Sequence, residues 1–76
     1  MTVDERELRV EIEWEIAESL RRYVGRVVTP RLKSEVRADA VRAAIGVLRR
    51  RGLRHSDGLE ERAGAAADRA IREVWP

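Results

Sequence analysis

The chain has 76 residues, 16 of them basic and 14 acidic, with one His and no Cys. That length makes one small domain, and the lack of Cys excludes a disulfide scaffold and a thiolate zinc site. It also disfavours multi-step catalysis, which needs a deep, walled pocket. Charged residues are 39% of the chain, against roughly 25% in an average domain.

The aromatic residues are Trp14, Tyr23 and Trp75, so the core must be aliphatic. The net charge of +2 conceals a pattern: residues 1–20 sum to −5, residues 21–54 to +9 and residues 55–76 to −2. A minus–plus–minus chain neutralises itself by folding or by pairing with a copy, so its basic balance is poor grounds for nucleic-acid binding. The N-terminus is acidic where a signal peptide would be positive and then apolar. No apolar run approaches the ~20 residues that span a bilayer. The Arg/Ala/Glu bias suits a GC-rich bacterium or its phage. The expectation is a soluble, cytoplasmic protein with no membrane contact, or a virion-associated one if phage-encoded.

The first predicted helix runs over about residues 4–28. Asp4 precedes Glu7 at cap spacing, and Leu8, Ile12, Ile16, Leu20 and Val24 recur every four residues, with Tyr23 and Val27 widening the ridge. Glu7, Glu11, Glu15 and Glu18 occupy the other side, while Val10, Trp14, Ala17 and Val28 form a second apolar patch. Such a helix would be about 37 Å long at 1.5 Å per residue, long enough to project from the domain and need cover from another chain.

A second period competes. Leu8, Val10, Ile12, Trp14 and Ile16 alternate with Arg9, Glu11, Glu13 and Glu15, as in a half-buried strand. With a strand at 9–16, a helix near Ala17–Arg26 and another opening at Lys33-Ser34-Glu35-Val36, residues 8–50 resemble the ribbon–helix–helix family of dimeric repressors. The resemblance implies that the outward strand residues enter a DNA groove. Three of those four are carboxylates, which repel phosphate, so that function is not carried over. Glu is depleted in strands and the four-residue spacing outlasts the alternation, which favours helix.

Thr29-Pro30 is a cap followed by Pro at the first helical position, opening a second helix over about 30–51. Leu32, Val36, Ala40, Ala43 and Val47 form one stripe and Val41, Ala44, Ile45 and Leu48 another. Buried over more than half its circumference, this helix should be the central element. After Gly52, Ser56-Asp57-Gly58 opens a third helix over about 57–75, with Asp57 as the cap and Leu59, Ala63, Ala66, Ala67, Ala70 and Val74 inward. The fold class is therefore all-α, a three-helix chain forming a single domain, with an oligomer or a larger assembly supplying the missing core.

No constellation meets the requirements of catalysis. His55, Ser56 and Asp57 are consecutive and cannot converge on one reacting atom as a relay requires. The Glu11/Glu15/Glu18 spacing is that of a solvated helix face rather than a set of converging cation ligands. No catalytic set, cofactor or metal is expected, and the chain is not expected to be an enzyme.

Arg49, Arg50, Arg51 and Arg54 form the one local cluster able to engage phosphates. Their alternative role is to complement the helix dipole and pair with acids of the first helix or of a partner. Trp14 and Trp75 are either core fillers or interface anchors, Trp being enriched at binding hot spots, with core packing the favoured role for Trp14; with Val10 and Ile71 they are the candidate interface residues. The expected partner is a second copy or another protein; nucleic acid is the alternative.

Overall fold

Asp4 opens the first helix through its side chain: Oδ1 accepts from the Arg6 N–H at 2.9 Å and from the Glu7 N–H at 3.4 Å. The computed structural model describes residues 4–74, and over these the chain is all-α. Helix α1 covers Glu5–Leu20, α2 Pro30–Arg50 and α3 Leu59–Val74, with short 3-10 turns at Arg21–Tyr23 and His55–Asp57. No strand occurs among the described residues.

The ribbon–helix–helix alternative is thereby overturned, and α1 shows why. Leu8, Ile12, Ile16 and Leu20 are buried, whereas Val10 and Trp14, which strand alternation would place beside them, are exposed. The four-residue spacing puts one apolar row against α2, and Glu-rich intervening positions gain nothing from a sheet.

Helix α1 ends at Leu20, not near residue 28. Beyond the 3-10 turn, Val24 is extended at φ −63°, ψ 131°, Gly25 has φ +83°, and the Arg26 N–H donates to the Tyr23 carbonyl at 3.2 Å. This is a type II turn, which requires a left-handed residue at its third position. A helix reaching Val28 would leave only Thr29 to reverse the chain before Pro30, whereas connections in helical bundles take about two to eight residues. Val24 and Val27 consequently leave the core ridge. The long projecting helix is absent, and the need for a second chain to cover it goes with it.

Thr29 caps α2, its Oγ1 accepting from the Leu32 N–H at 3.1 Å, with Pro30 in the first helical position. Helix α2 ends where Gly52 takes φ +89°. The Leu53 N–H donates to the Leu48 carbonyl at 3.0 Å and the Gly52 N–H to Arg49 at 3.0 Å, the Schellman pattern. Asp57 caps the connecting turn rather than α3: its Oδ2 accepts from the Arg54 N–H at 2.7 Å. Helix α3 begins two residues later, at Leu59.

Helix α2 lies between the other two, which meet each other only along a narrow margin. Its Leu32, Val36, Ala40, Ala44, Val47 and Leu48 are buried against α1 and α3. Leu59, Ala63 and Ala67 bring α3 close, since a small side chain every fourth residue lets backbones approach. Arg37 Nε donates to Asp68 Oδ1 at 2.9 Å between α2 and α3, and Arg62 Nη2 to Glu5 Oε2 at 2.7 Å between α3 and α1. The result is a rod-like bundle of 44 × 21 × 18 Å.

Candidate interaction surface

The buried row of α1 turns the opposite side of the helix to solvent. There Val10 is 61% exposed and Trp14 65%, one helical turn apart. Ala17, a turn further on, is also exposed. Arg6, Glu7, Glu11 and Arg51 complete a shallow, mostly apolar groove of about 510 Å³ beside them. Core packing, the role favoured for Trp14 by its sequence, is thereby overturned: the row at Leu8, Ile12 and Ile16 takes the core side of α1, and Trp14 keeps most of its surface open to a partner.

The candidate residues are not all brought together. Ile71 is half-buried against the core from α3, and no residue of α3 lines the groove at Val10 and Trp14. Trp75 lies outside the described residues. Val28, which the helical reading placed beside Trp14, belongs to the connection after α1.

The arginine cluster is divided by its ion pairs. Antiparallel packing carries the C-terminal end of α2 to the acidic side of α1. Arg51 reaches Glu11 Oε2 through Nε at 2.6 Å and Nη2 at 2.5 Å. Arg50 Nη2 lies 3.6 Å from both Glu11 and Glu15. Arg49 and Arg54 are exposed and make no ion pair among the described residues. A spacing of four carries Glu11 and Glu15 to one edge of α1, so charge-pair geometry uses half of the cluster internally.

His55 faces Glu60 at 3.8 Å, both side chains exposed. Asp57 is engaged with the backbone, its Oδ2 accepting from the Arg54 N–H. No cluster of three or more His, Asp or Glu side chains with metal-binding geometry occurs among the described residues, nor does any helix long and apolar enough to cross a membrane.

Three features were not foreseen from the sequence. Val24 and Val27 are 80% and 83% exposed and Val28 45%, an apolar turn at one end of the rod; the string Val24-Gly25-Arg26-Val27-Val28-Thr29-Pro30, with Gly before three β-branched residues and a Pro, carries that signal. An open groove of about 760 Å³ runs between α1 and α3 over Leu8, Ile12 and Ile16. The Tyr23 hydroxyl donates to Asp39 Oδ2, with Arg42 at 3.4 Å and Arg22 at 3.9 Å from the same carboxylate. The hydrogen bond to Asp39 raises the Tyr23 pKa, helped by burial and by the Asp39 charge and opposed by Arg22. Comparison with protein-family models, curated proteins and solved structures finds no match to this chain.

Proposed function

We propose that this protein works by protein–protein contact, as a homo-oligomer or as a small structural or accessory subunit of a larger assembly, and not as an enzyme. The observation that carries this reading is the exposure of Val10 and Trp14 side by side on a helix whose other apolar row is already buried. Truncating an exposed Trp removes contact area for a partner without opening a cavity in the bundle. Trp14→Ala therefore abolishes association and leaves helicity unchanged, read by light scattering and circular dichroism, with affinity capture from the native host as the parallel assay for a heterologous partner. Association that is absent in both assays, or indifferent to Trp14→Ala, overturns the reading.

Nucleic-acid contact through the basic cluster is the second reading, favoured by the exposed, unengaged Arg49 and Arg54. It draws on two guanidinium groups rather than four, since Arg50 and Arg51 face α1 acids. Binding of this kind falls steeply with salt.

A further inference from the structure

Helix α1 stops short of the length of α2 beside it. Tyr23, just past the end of α1, already lies at the level of Asp39, so residues 30–38 of α2 extend beyond it. Between these residues and the turn at 24–28 is an open cavity of about 540 Å³, with Arg26, Val27, Leu32 and Glu35 among its walls. The apolar row of α1 does not stop where the helix does. Leu8, Ile12, Ile16 and Leu20 are buried; Val24 follows at the same spacing with Val27 near it, yet both are exposed. The helix breaks off because one chain must reverse between α1 and α2. A connection that did not reverse would lift that constraint.

We propose that two copies of the chain exchange α1: each α1 leaves its own α2, extends as helix through Val28 and packs on the partner's bundle. This goes beyond the patch reading above, because it uses the buried face of α1 and leaves Val10 and Trp14 open. The partner is selected by contacts that this structure already contains. Leu8, Ile12, Ile16 and Leu20 meet the same row of α2, and Glu11 and Glu15 the same arginines, whether the helices belong to one chain or two. Only the connection changes. Arg22 lies 3.9 Å from Asp39, while Arg26 has no ion-pair partner among the described residues. Arg26 is one turn further along an extended α1 and Glu35 one turn back along α2, so the extension sets one against the other. Val24 and Val27 then lie over the first turns of α2. Pro30 ends the extension, since the residue before a proline avoids helical geometry, as Thr29 does at φ −122°, ψ 161°. Helix α1 meets α3 only along a narrow margin, so its departure leaves the α2–α3 contact in place. Exchange of an identical element is a symmetric route to a dimer. Gly25 sets the balance: its φ of +83° suits the turn, and Gly inside a helix is unfavourable, which favours the single chain until its concentration rises.

The test refolds the full chain over a concentration series, dilutes it, and reads mass by gel filtration with light scattering. Contacts between folded chains dissociate on dilution. Exchanged dimers persist, because separation requires α1 to detach from the partner's core. Wild type yields a dimer fraction that rises with refolding concentration. Gly25→Ala raises that fraction by about tenfold or more, since a Cβ disfavours the left-handed turn and favours helix. Val24→Ser with Val27→Ser lowers it and leaves the monomer folded, both side chains being exposed there. Exchange itself is read by cross-linking, as the chain has no Cys of its own. A Glu11→Cys chain and an Arg51→Cys chain refolded together and diluted join through a short bismaleimide when α1 of one lies on α2 of the other. A persistent dimer without that cross-link overturns the proposal, as does a dimer fraction indifferent to Gly25→Ala. Wild type and Gly25→Ala that are both monomeric at every refolding concentration overturn it too. A dimer lost on dilution, and absent from Trp14→Ala, belongs to the exposed patch: it overturns exchange while the protein-contact reading stands.

Discussion

The Tyr23 hydroxyl donates to the carboxylate of Asp39, sixteen residues away, tying the 3-10 turn that follows α1 to the middle of α2. Tyr23 is buried and Asp39 half-buried, with Arg22 and Arg42 flanking the carboxylate. The bond holds the chain at the place where it leaves the helix and enters the type II turn. It therefore also positions the exposed valines.

Tyr23 is the only tyrosine, so its ionisation can be followed directly. The Asp39 hydrogen bond raises its pKa above the ordinary value of 10.0. A raised folded-state value means the neutral phenol favours the fold. The stabilisation is complete below the unfolded pKa and is lost as pH rises through the folded one. Tyrosinate absorbance should titrate above pH 10 in the folded chain and near 10 in urea. Thermal midpoints should fall over the same alkaline window, and Tyr23→Phe should flatten that fall while lowering the midpoint at neutral pH.

Core and patch residues should respond in opposite ways. Leu48 and Ile16 are fully buried, and Leu48→Ala or Ile16→Ala should cost about 2–5 kcal/mol, enough to unfold much of a domain whose core supplies roughly 3–5 kcal/mol. Trp14→Ala should change stability by about 0.5 kcal/mol or less at concentrations where the chain is monomeric. Urea unfolding followed by circular dichroism separates the two. A large loss at Trp14 would mean the residue supports the bundle itself.

Glycine replacements distinguish helix interior from turn. Gly46 lies inside α2, exposed, with open space where a Cβ would stand. Gly46→Ala should stabilise by about 0.5–1 kcal/mol. Gly25 also has open space, but its φ of +83° belongs to the turn, and Gly25→Ala should destabilise by about 1–2 kcal/mol. The comparison of chemical midpoints tests whether backbone conformation, not room, governs that site.

The arginine cluster should divide in function as it does in geometry. Arg51→Ala removes the contacts at 2.5 and 2.6 Å to Glu11 and should cost about 0.2–1 kcal/mol, the range of partly exposed pairs. Arg49→Ala, with no ion-pair partner among the described residues, should be neutral to stability. If the chain binds nucleic acid, Arg49→Ala with Arg54→Ala should weaken binding and reduce its salt dependence by about two released counterions. Titration of a labelled duplex at several salt concentrations reads both quantities.

Local chemistry made the three helices legible in the sequence. Asp4 and Thr29-Pro30 open helices, Gly52 closes one, and four-residue apolar spacing identifies the rows at Leu8–Leu20 and Leu32–Leu48 that are buried in the structure. The internal pairs Arg31–Glu35 and Asp39–Arg42 were legible for the same reason, since helical periodicity alone places them. The spacing equally showed a second apolar patch at Val10 and Trp14, but a helix does not reveal how many neighbours it has. Only packing decided that α2 covers one row of α1 and leaves the other open. Tertiary structure also decided where α1 stops. The four-residue period runs on through Val24, yet antiparallel return to α2 requires several residues of connection, and the bond from Tyr23 to Asp39 draws the chain out of the helix. The same antiparallel return carries Arg50 and Arg51 to Glu11 and Glu15: the charge pattern offered first-helix acids as partners for the cluster, but which Arg meets which Glu, across 40 residues between Arg51 and Glu11, was decided by packing.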